Sequence, residues 1–305
     1  METVVITGGT GLIGRTLSKM LVQKNYRVIV LSRKKVKDSN GIQYASWNPE
    51  KQIIDAHVIS KADHIINLAG AGVADKRWTI KRKKEIVESR VDSGRVIVKA
   101  LKEILNNVQT VVSASGIGWY GPDRTNKKPF VESDPAENDF LGQTCVKWEH
   151  SVSPVEELGK RLVILRTGIV LSKEGGALRE FIKPLKAGVT TILGSGKQVI
   201  SWIHIIDICR VYIAAIEQKH MYGVYNACAA EWVTNKELVM KLAKSRSRSF
   251  IPVHVPEFML KVVLGEMSIE VLKSTTVDNG KLRNAGFSFV FPTIDAALKD
   301  VSERE

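Results

Sequence analysis

Three glycines at fixed spacing open the chain: Thr7-Gly8-Gly9-Thr10-Gly11-Leu12-Ile13-Gly14 follows the β-branched run Val4-Val5-Ile6 and leads into Leu17, Met20 and Leu21. A hydrophobic strand, a glycine turn and an amphipathic helix, in that order, make a cradle for a dinucleotide pyrophosphate. Gly8 makes the tight turn, Gly11 lets the backbone approach the phosphates and Gly14 lets the helix pack on the sheet, with Thr10, Leu12 and Ile13 completing the cradle. The helix start adds free N–H groups and the positive end of its dipole. About twenty positions on, where an acidic residue would hold a ribose 2′-hydroxyl, the chain has Ser32-Arg33. A hydroxyl and a guanidinium suit a phosphate monoester, so the pair predicts NADP(H) rather than NAD(H).

Such a cradle needs parallel strands to carry it. Hydrophobic runs predict strands at Tyr26–Leu31, Ile42–Ser46, His64–Leu68, Val108–Ala114 and Arg161–Arg166, with Trp47-Asn48-Pro49 as a polar loop. Helical spacing runs from Thr79 to Asn106 and from Asp139 to Leu158. Alternating strands and helices give the α/β class and a doubly wound parallel sheet, an NADP-binding Rossmann domain over residues 1–170. Leu68, Ala69 and Gly70 close the fourth strand with small side chains that leave room for a ligand. Residues 171–305 read as a smaller mixed domain, a lid on the cofactor end of the sheet, with some segments returning to it. Within it Ile200–Ile206 and Val224–Ala227 look extended, and Ile208–Glu217, Asn235–Lys244 and Thr293–Val301 look helical. His204, in an apolar alternating stretch, reads as a core histidine.

The chain has 305 residues, 44% hydrophobic, and a formal net charge of +13, enough to bury a large core. The densest basic run, Lys81-Arg82-Lys83-Lys84, opens a helix without interleaved aromatics. It reads as a solvated face rather than a nucleic-acid site, and the positive field steers an anionic ligand. No stretch approaches the roughly 18 apolar residues of a membrane helix, and no signal-peptide pattern precedes the first strand; both point to a cytoplasmic protein, or one in an organelle reached by a presequence already lost. Cys145, Cys209 and Cys228 are odd in number and widely spaced, which argues against a disulfide framework and a metal site. The expected partner is a small-molecule substrate; the oligomeric state stays open.

Together, the glycine turn, Asn67-Leu68-Ala69-Gly70, Tyr120-Gly121 and Trp202-Ile203-His204-Ile205-Ile206-Asp207 resemble an extended short-chain dehydrogenase/reductase. Gly286-Phe287-Ser288-Phe289-Val290-Phe291-Pro292-Thr293 narrows the resemblance to its atypical epimerase family branch, NAD(P)-dependent epimerase/dehydratase-like, over nearly the full length. The resemblance implies an NADP-binding domain and a small substrate-side domain. In the parent family a Tyr-x-x-x-Lys pair does the chemistry; here Leu141 and Cys145 occupy those slots, and Arg90 stands where a helix asparagine would be. Leucine carries no proton, and cysteine is no permanent cation.

The resemblance therefore implies that Arg90 supplies the lost positive charge, with Glu85 orienting it or the ribose, and that Cys145 lines the cofactor without reacting; an inert packed thiol and a reactive one are the alternatives. Tyr120 is the expected proton donor and Ser115 its assisting hydrogen-bond donor, since both follow the fifth strand; Tyr120 as a packing residue under the cofactor is the alternative. Two functions follow: an NADP-dependent oxidoreductase or epimerase using hydride transfer on a small carbonyl or sugar-like substrate, or an NADP(H)-binding sensor or structural protein without turnover.

Overall fold

The computed structural model describes residues 1–124, 128–246 and 249–303. The first half runs β1 (Thr3–Thr7), α1 (Leu12–Gln23), β2 (Arg27–Ser32), β3 (Ile42–Asn48), β4 (Ile53–Ile54), α2 (Ala56–Ser60), β5 (His64–Asn67), α3 (Ile80–Glu103), β6 (Thr110–Gly116), α4 (Phe140–Val152) and β7 (Arg161–Thr167). It continues through β8 (Ile169–Leu171), α5 (Ala177–Leu185), β9 (Val189–Leu193), β10 (Val199–Ile200), β11 (Trp202–His204), α6 (Ile205–Glu217), β12 (Gly223–Ala227), β13 (Val233–Thr234), α7 (Asn235–Ser245), β14 (Ile251–Val255), α8 (Glu257–Leu264), α9 (Ser268–Leu272), α10 (Gly280–Asn284) and α11 (Ile294–Glu303).

Eight of the described strands form one sheet in the order β12-β7-β6-β5-β1-β2-β3-β4. Every pairing in it is parallel except β3 with β4. The chain winds outward from β1 through β2 and β3, then restarts at β5 and winds the other way. That reversal lies between β1 and β5, where Thr7 sits level with Leu31 and Asn67, and such a switch point opens a ligand crevice at the strands' carboxyl ends. On one face α1 and α6 bury Leu17, Leu21, Ile208 and Tyr212 against Val4, Ile6 and Val28. On the other, Val96, Ile97 and Leu101 of α3 and Val152 of α4 pack on Val5, Ile65 and Val111. Cover on both faces explains why these strands read as unbroken hydrophobic runs.

A separate core, with Leu171, Leu178, Trp202, Leu238 and Leu298, gathers α5, α7 and α11 beyond the sheet. α6 and β12, although late in sequence, belong to the sheet layers. Among the described residues, no helix is long and apolar enough to cross a membrane, and no three His, Cys, Asp or Glu side chains gather to hold a metal.

Several boundaries differ from the sequence reading for identifiable reasons. Trp47 and Asn48 are strand, not loop, because they pair with Ile54 and Ile53 in a hairpin. Ser115 and Gly116 extend β6 by pairing with Arg166 and Thr167. α4 stops at Val152, where Pro154 opens a stretch of tighter 3₁₀ turns over Ser153–Leu158. Ile205 and Ile206 begin a helix rather than end a strand, since His204 Nδ1 caps α6 by accepting the Ile206 N–H at 3.3 Å.

Candidate functional site

A two-chambered cavity opens over the carboxyl ends of β1, β2, β5 and β6. The outer chamber, about 1300 Å³, is walled by Gly8, Thr10, Gly11, Ser32, Arg33, Leu68, Ala69, Gly70 and Glu85, among others. The inner, about 600 Å³, shares Gly8, Gly11, Leu68 and Gly70 and adds Leu12, Ile13, Gly14, Arg90, Ser115, Leu141 and Cys145. Gly8 has φ +66°, and a Cβ there would lie 2.6 Å from the Leu68 carbonyl oxygen. A Cβ on Gly14 would lie 2.5 Å from the Gly8 oxygen. Thr7 locks the turn over β5: its hydroxyl donates to Asn67 Oδ1 at 2.7 Å and accepts the Leu68 and Ala69 N–H groups at 3.2 Å. α1 begins with no side-chain cap and no acidic residue in its first turn, so its free N–H groups and dipole face the cavity uncompensated. The fit to a dinucleotide pyrophosphate is good. Gly9, overlooked in the sequence, is required for packing: a Cβ would meet Val30 at 2.6 Å.

At the far end of the outer chamber the Ser32 hydroxyl accepts the Lys34 N–H at 3.1 Å. Arg33 is 69% exposed and only 3.9 Å from Glu50, itself 74% exposed, a pair too loose and wet to hold it. Lys34, Lys81 and Lys84 also wall this chamber, against Glu50, Glu85, Glu88 and Asp92. The basic run read as a purely solvated face thus contributes Lys81 and Lys84 to the cavity rim. Of the two roles expected of Glu85, orienting Arg90 or the ribose, the first does not hold, because its carboxylate is engaged by Arg82. Glu85 accepts from Arg82 Nη1 at 2.7 Å, a hydrogen bond that holds its carboxyl below the ordinary range. Arg90 is instead fixed by donating to the Ala71 and Ile86 carbonyls at 2.9 Å, with its guanidinium 4.8 Å from the Trp148 ring. Burial lowers its pKa to about 10, which leaves it charged at neutral pH.

Residues 4–228 match the NAD dependent epimerase/dehydratase family, and residues 255–301 match a C-terminal domain of unknown function, DUF1731. The chain belongs to the epimerase family. Epimerase family protein SDR39U1 of Mus musculus is 32% identical over 98% of this chain and 99% of its own length. Epimerase family protein MT2273 of Mycobacterium tuberculosis is 33% identical over 97% and 96%. The crystal structure of human epimerase family protein SDR39U1 with NADPH superposes with a TM-score of 0.87 at 28% identity, covering 99% of this chain and 100% of that one. The fold is therefore the NAD(P)-binding Rossmann fold of this family.

Leu141 and Cys145, which the family resemblance puts in the slots of the Tyr-x-x-x-Lys pair, both wall the inner chamber. The Cys145 thiol lies 3.6 Å from the Gly116 carbonyl, and burial pushes its pKa up to about 11. Ser115 also walls the chamber, but its hydroxyl donates away from it, to Glu149 Oε1 at 2.6 Å. Arg166 grips Glu149 with Nε and Nη2, each at 2.9 Å, and donates from Nη1 to the Tyr120 hydroxyl at 3.1 Å. Tyr120 in turn donates to Asn226 Oδ1 at 2.6 Å. Only 2% exposed and stacked on Phe130, Tyr120 is in the wall of neither chamber, and burial pushes its pKa up to about 12. The fold thus brings Ser115, Cys145 and Arg90 together and leaves Tyr120 behind them. The cation beside Tyr120 is Arg166, not Arg90. Sequence reasoning missed the Glu149–Arg166–Asn226 network, although an arginine ending the apolar run Leu162-Val163-Ile164-Leu165 was the signal: buried charges need partners.

Proposed function

We propose that the protein binds NADP(H) across both chambers, with the adenosine 2′-phosphate at Ser32 and Arg33 and the nicotinamide in the inner chamber, and acts as an NADP-dependent oxidoreductase or epimerase-like enzyme on a small carbonyl or sugar-like substrate. The observation that carries this reading is two adjoining chambers, sharing Gly8, Gly11, Leu68 and Gly70, that run from an available arginine, past an uncapped helix start, to a largely apolar end where Arg90, Ser115 and Cys145 meet. The NADPH in the human relative supports the same choice of cofactor. A bound nicotinamide supplies hydride chemistry. In this reading Gly8, Thr10, Gly11, Leu12, Ile13 and Gly14 hold the pyrophosphate, and Leu68, Ala69, Gly70 and Glu85 flank the adenosine half. Arg90 and Cys145 line the inner half, Arg90 as its fixed positive charge. Because the Ser115 proton is committed to Glu149, Ser115 offers a ligand a lone pair and accepts a hydrogen bond from it.

The second reading, a nucleotide-binding protein without turnover, is favoured by one observation: Tyr120, the expected proton donor, is buried in a closed network outside both chambers. Titrating NADPH and NADH into wild type and Arg33→Asp tests the cofactor. Wild type is expected to prefer NADPH by tenfold or more, about 1.4 kcal/mol, and the variant to lose that preference; equal wild-type affinities overturn the claim. NADPH oxidation across aldehydes, ketones and quinones separates the readings: turnover supports the enzyme, and tight binding with none selects the sensor.

A further inference from the structure

Two buried hydrogen-bond donors in the wall of the inner chamber have no partner among the described residues: Tyr212 Oη on α6 and Trp148 Nε1 on α4. Four hydroxyl and thiol protons in the same wall are given elsewhere. Ser115 donates to Glu149, Thr144 to the Phe140 carbonyl, Cys145 to the Gly116 carbonyl and Thr167 to the Leu165 carbonyl. Thr167, whose hydroxyl donates to the Leu165 carbonyl at 3.2 Å, is near enough to pull the Tyr212 pKa down a little against burial, but it completes no hydrogen bond with the Tyr212 hydroxyl.

Tyr212 is wholly buried, on a helix face otherwise built from Ile208, Val211, Ala215 and Ile216. Phenylalanine would fill the same space without stripping a hydroxyl of water, a loss that an unmet donor never recovers in the ligand-free fold. Burial also drives the hydroxyl far above its ordinary pKa, so it stays protonated and able to donate. The indole N–H of Trp148 can only donate, so both orphans call for acceptor oxygens. Tyr212 shares its wall with Leu12, Ile13 and Gly14 at the start of α1, which makes the dinucleotide, rather than a substrate beyond it, the ligand within reach.

We propose that Tyr212 is a ligand-contacting residue whose hydroxyl donates to an acceptor oxygen in the inner half of the bound dinucleotide, on the nicotinamide ribose or carboxamide. This rests on the NADP(H) reading above. It makes Tyr212 a residue that costs the empty protein stability and returns it as affinity.

The test compares wild type with Tyr212→Phe using two probes: NADPH, which spans both chambers, and adenosine 2′,5′-bisphosphate, which carries only the outer half. The variant is expected to bind NADPH about three- to tenfold more weakly, the range for one net hydrogen bond, and to bind the bisphosphate as wild type does. Its ligand-free melting temperature is expected to stay the same or rise. Unchanged NADPH affinity, an equal loss for both probes, or a lower ligand-free melting temperature each overturns the assignment, the last by making the hydroxyl a structural bond to Thr167. Wild-type protein that binds neither probe overturns the dinucleotide reading itself, a failure distinct from that of Tyr212.

Discussion

Arg33 and Arg166 carry the same charge in opposite circumstances. Arg33 stands in water beside a loose partner, free to meet a ligand. Arg166, 3% exposed, is spent on Glu149 and Tyr120, where it holds β6, α4 and β7 in register around Ser115. Replacing it with methionine strands a buried carboxylate. The expected cost is about 3–5 kcal/mol, read from urea unfolding, and a variant as stable as wild type contradicts the network. Arg33 was legible in the sequence because its place is set by distance from the glycine turn. The role of Arg166 was not, since Glu149 lies on another element and Asn226 on a strand that joins the sheet only through the tertiary fold. For the same reason Tyr120, close to Ser115 in sequence, was credited with a cavity position that the 3₁₀ turn at Ile117–Trp119 denies it.

Among the elements, the central strands were the easiest to read, because burial on both faces writes an unmistakable apolar run. The hairpin of β3 with β4 and the parallel pair β9 with β14 were not, because β4 is only two residues long and Pro252 interrupts the strand pattern of β14. β5 begins with a titratable residue, His64, 4% exposed and 3.6 Å from Glu2. Burial lowers its pKa below the ordinary 6.5, with Glu2 opposing the shift. Below about pH 6.5 the unfolded chain therefore binds the proton more readily than the folded one, and stability present at neutral pH is lost as pH falls through the folded pKa. Urea unfolding at pH 7.5 and 5.5 should show a smaller loss for His64→Gln than for wild type. An identical loss in both would mean that His64 does not set this slope.

At the scale of the whole molecule, the chain closes on itself more than its sequence order suggests. β12 pairs with β7 and α6 packs beside α1, so the sheet layers are completed by residues well past position 170. The C-terminal run is tied to the same helix, where Asp207 accepts the Val290 and Phe291 N–H groups, each at 2.8 Å. Tyr212 sits on that helix, Val170 and Gly176 complete the inner chamber from the same half, and no local pattern announces that a late helix will floor a cavity begun by the first sixteen residues. The glycine turn told where a dinucleotide would start; only the fold shows where the cavity ends. A crystal structure with NADPH bound tests this account most directly. The account predicts the 2′-phosphate against Ser32 and Arg33, and the nicotinamide in the inner chamber beside Ser115 and Cys145. A 2′-phosphate turned away from Arg33, or a nicotinamide left outside the inner chamber, would contradict it.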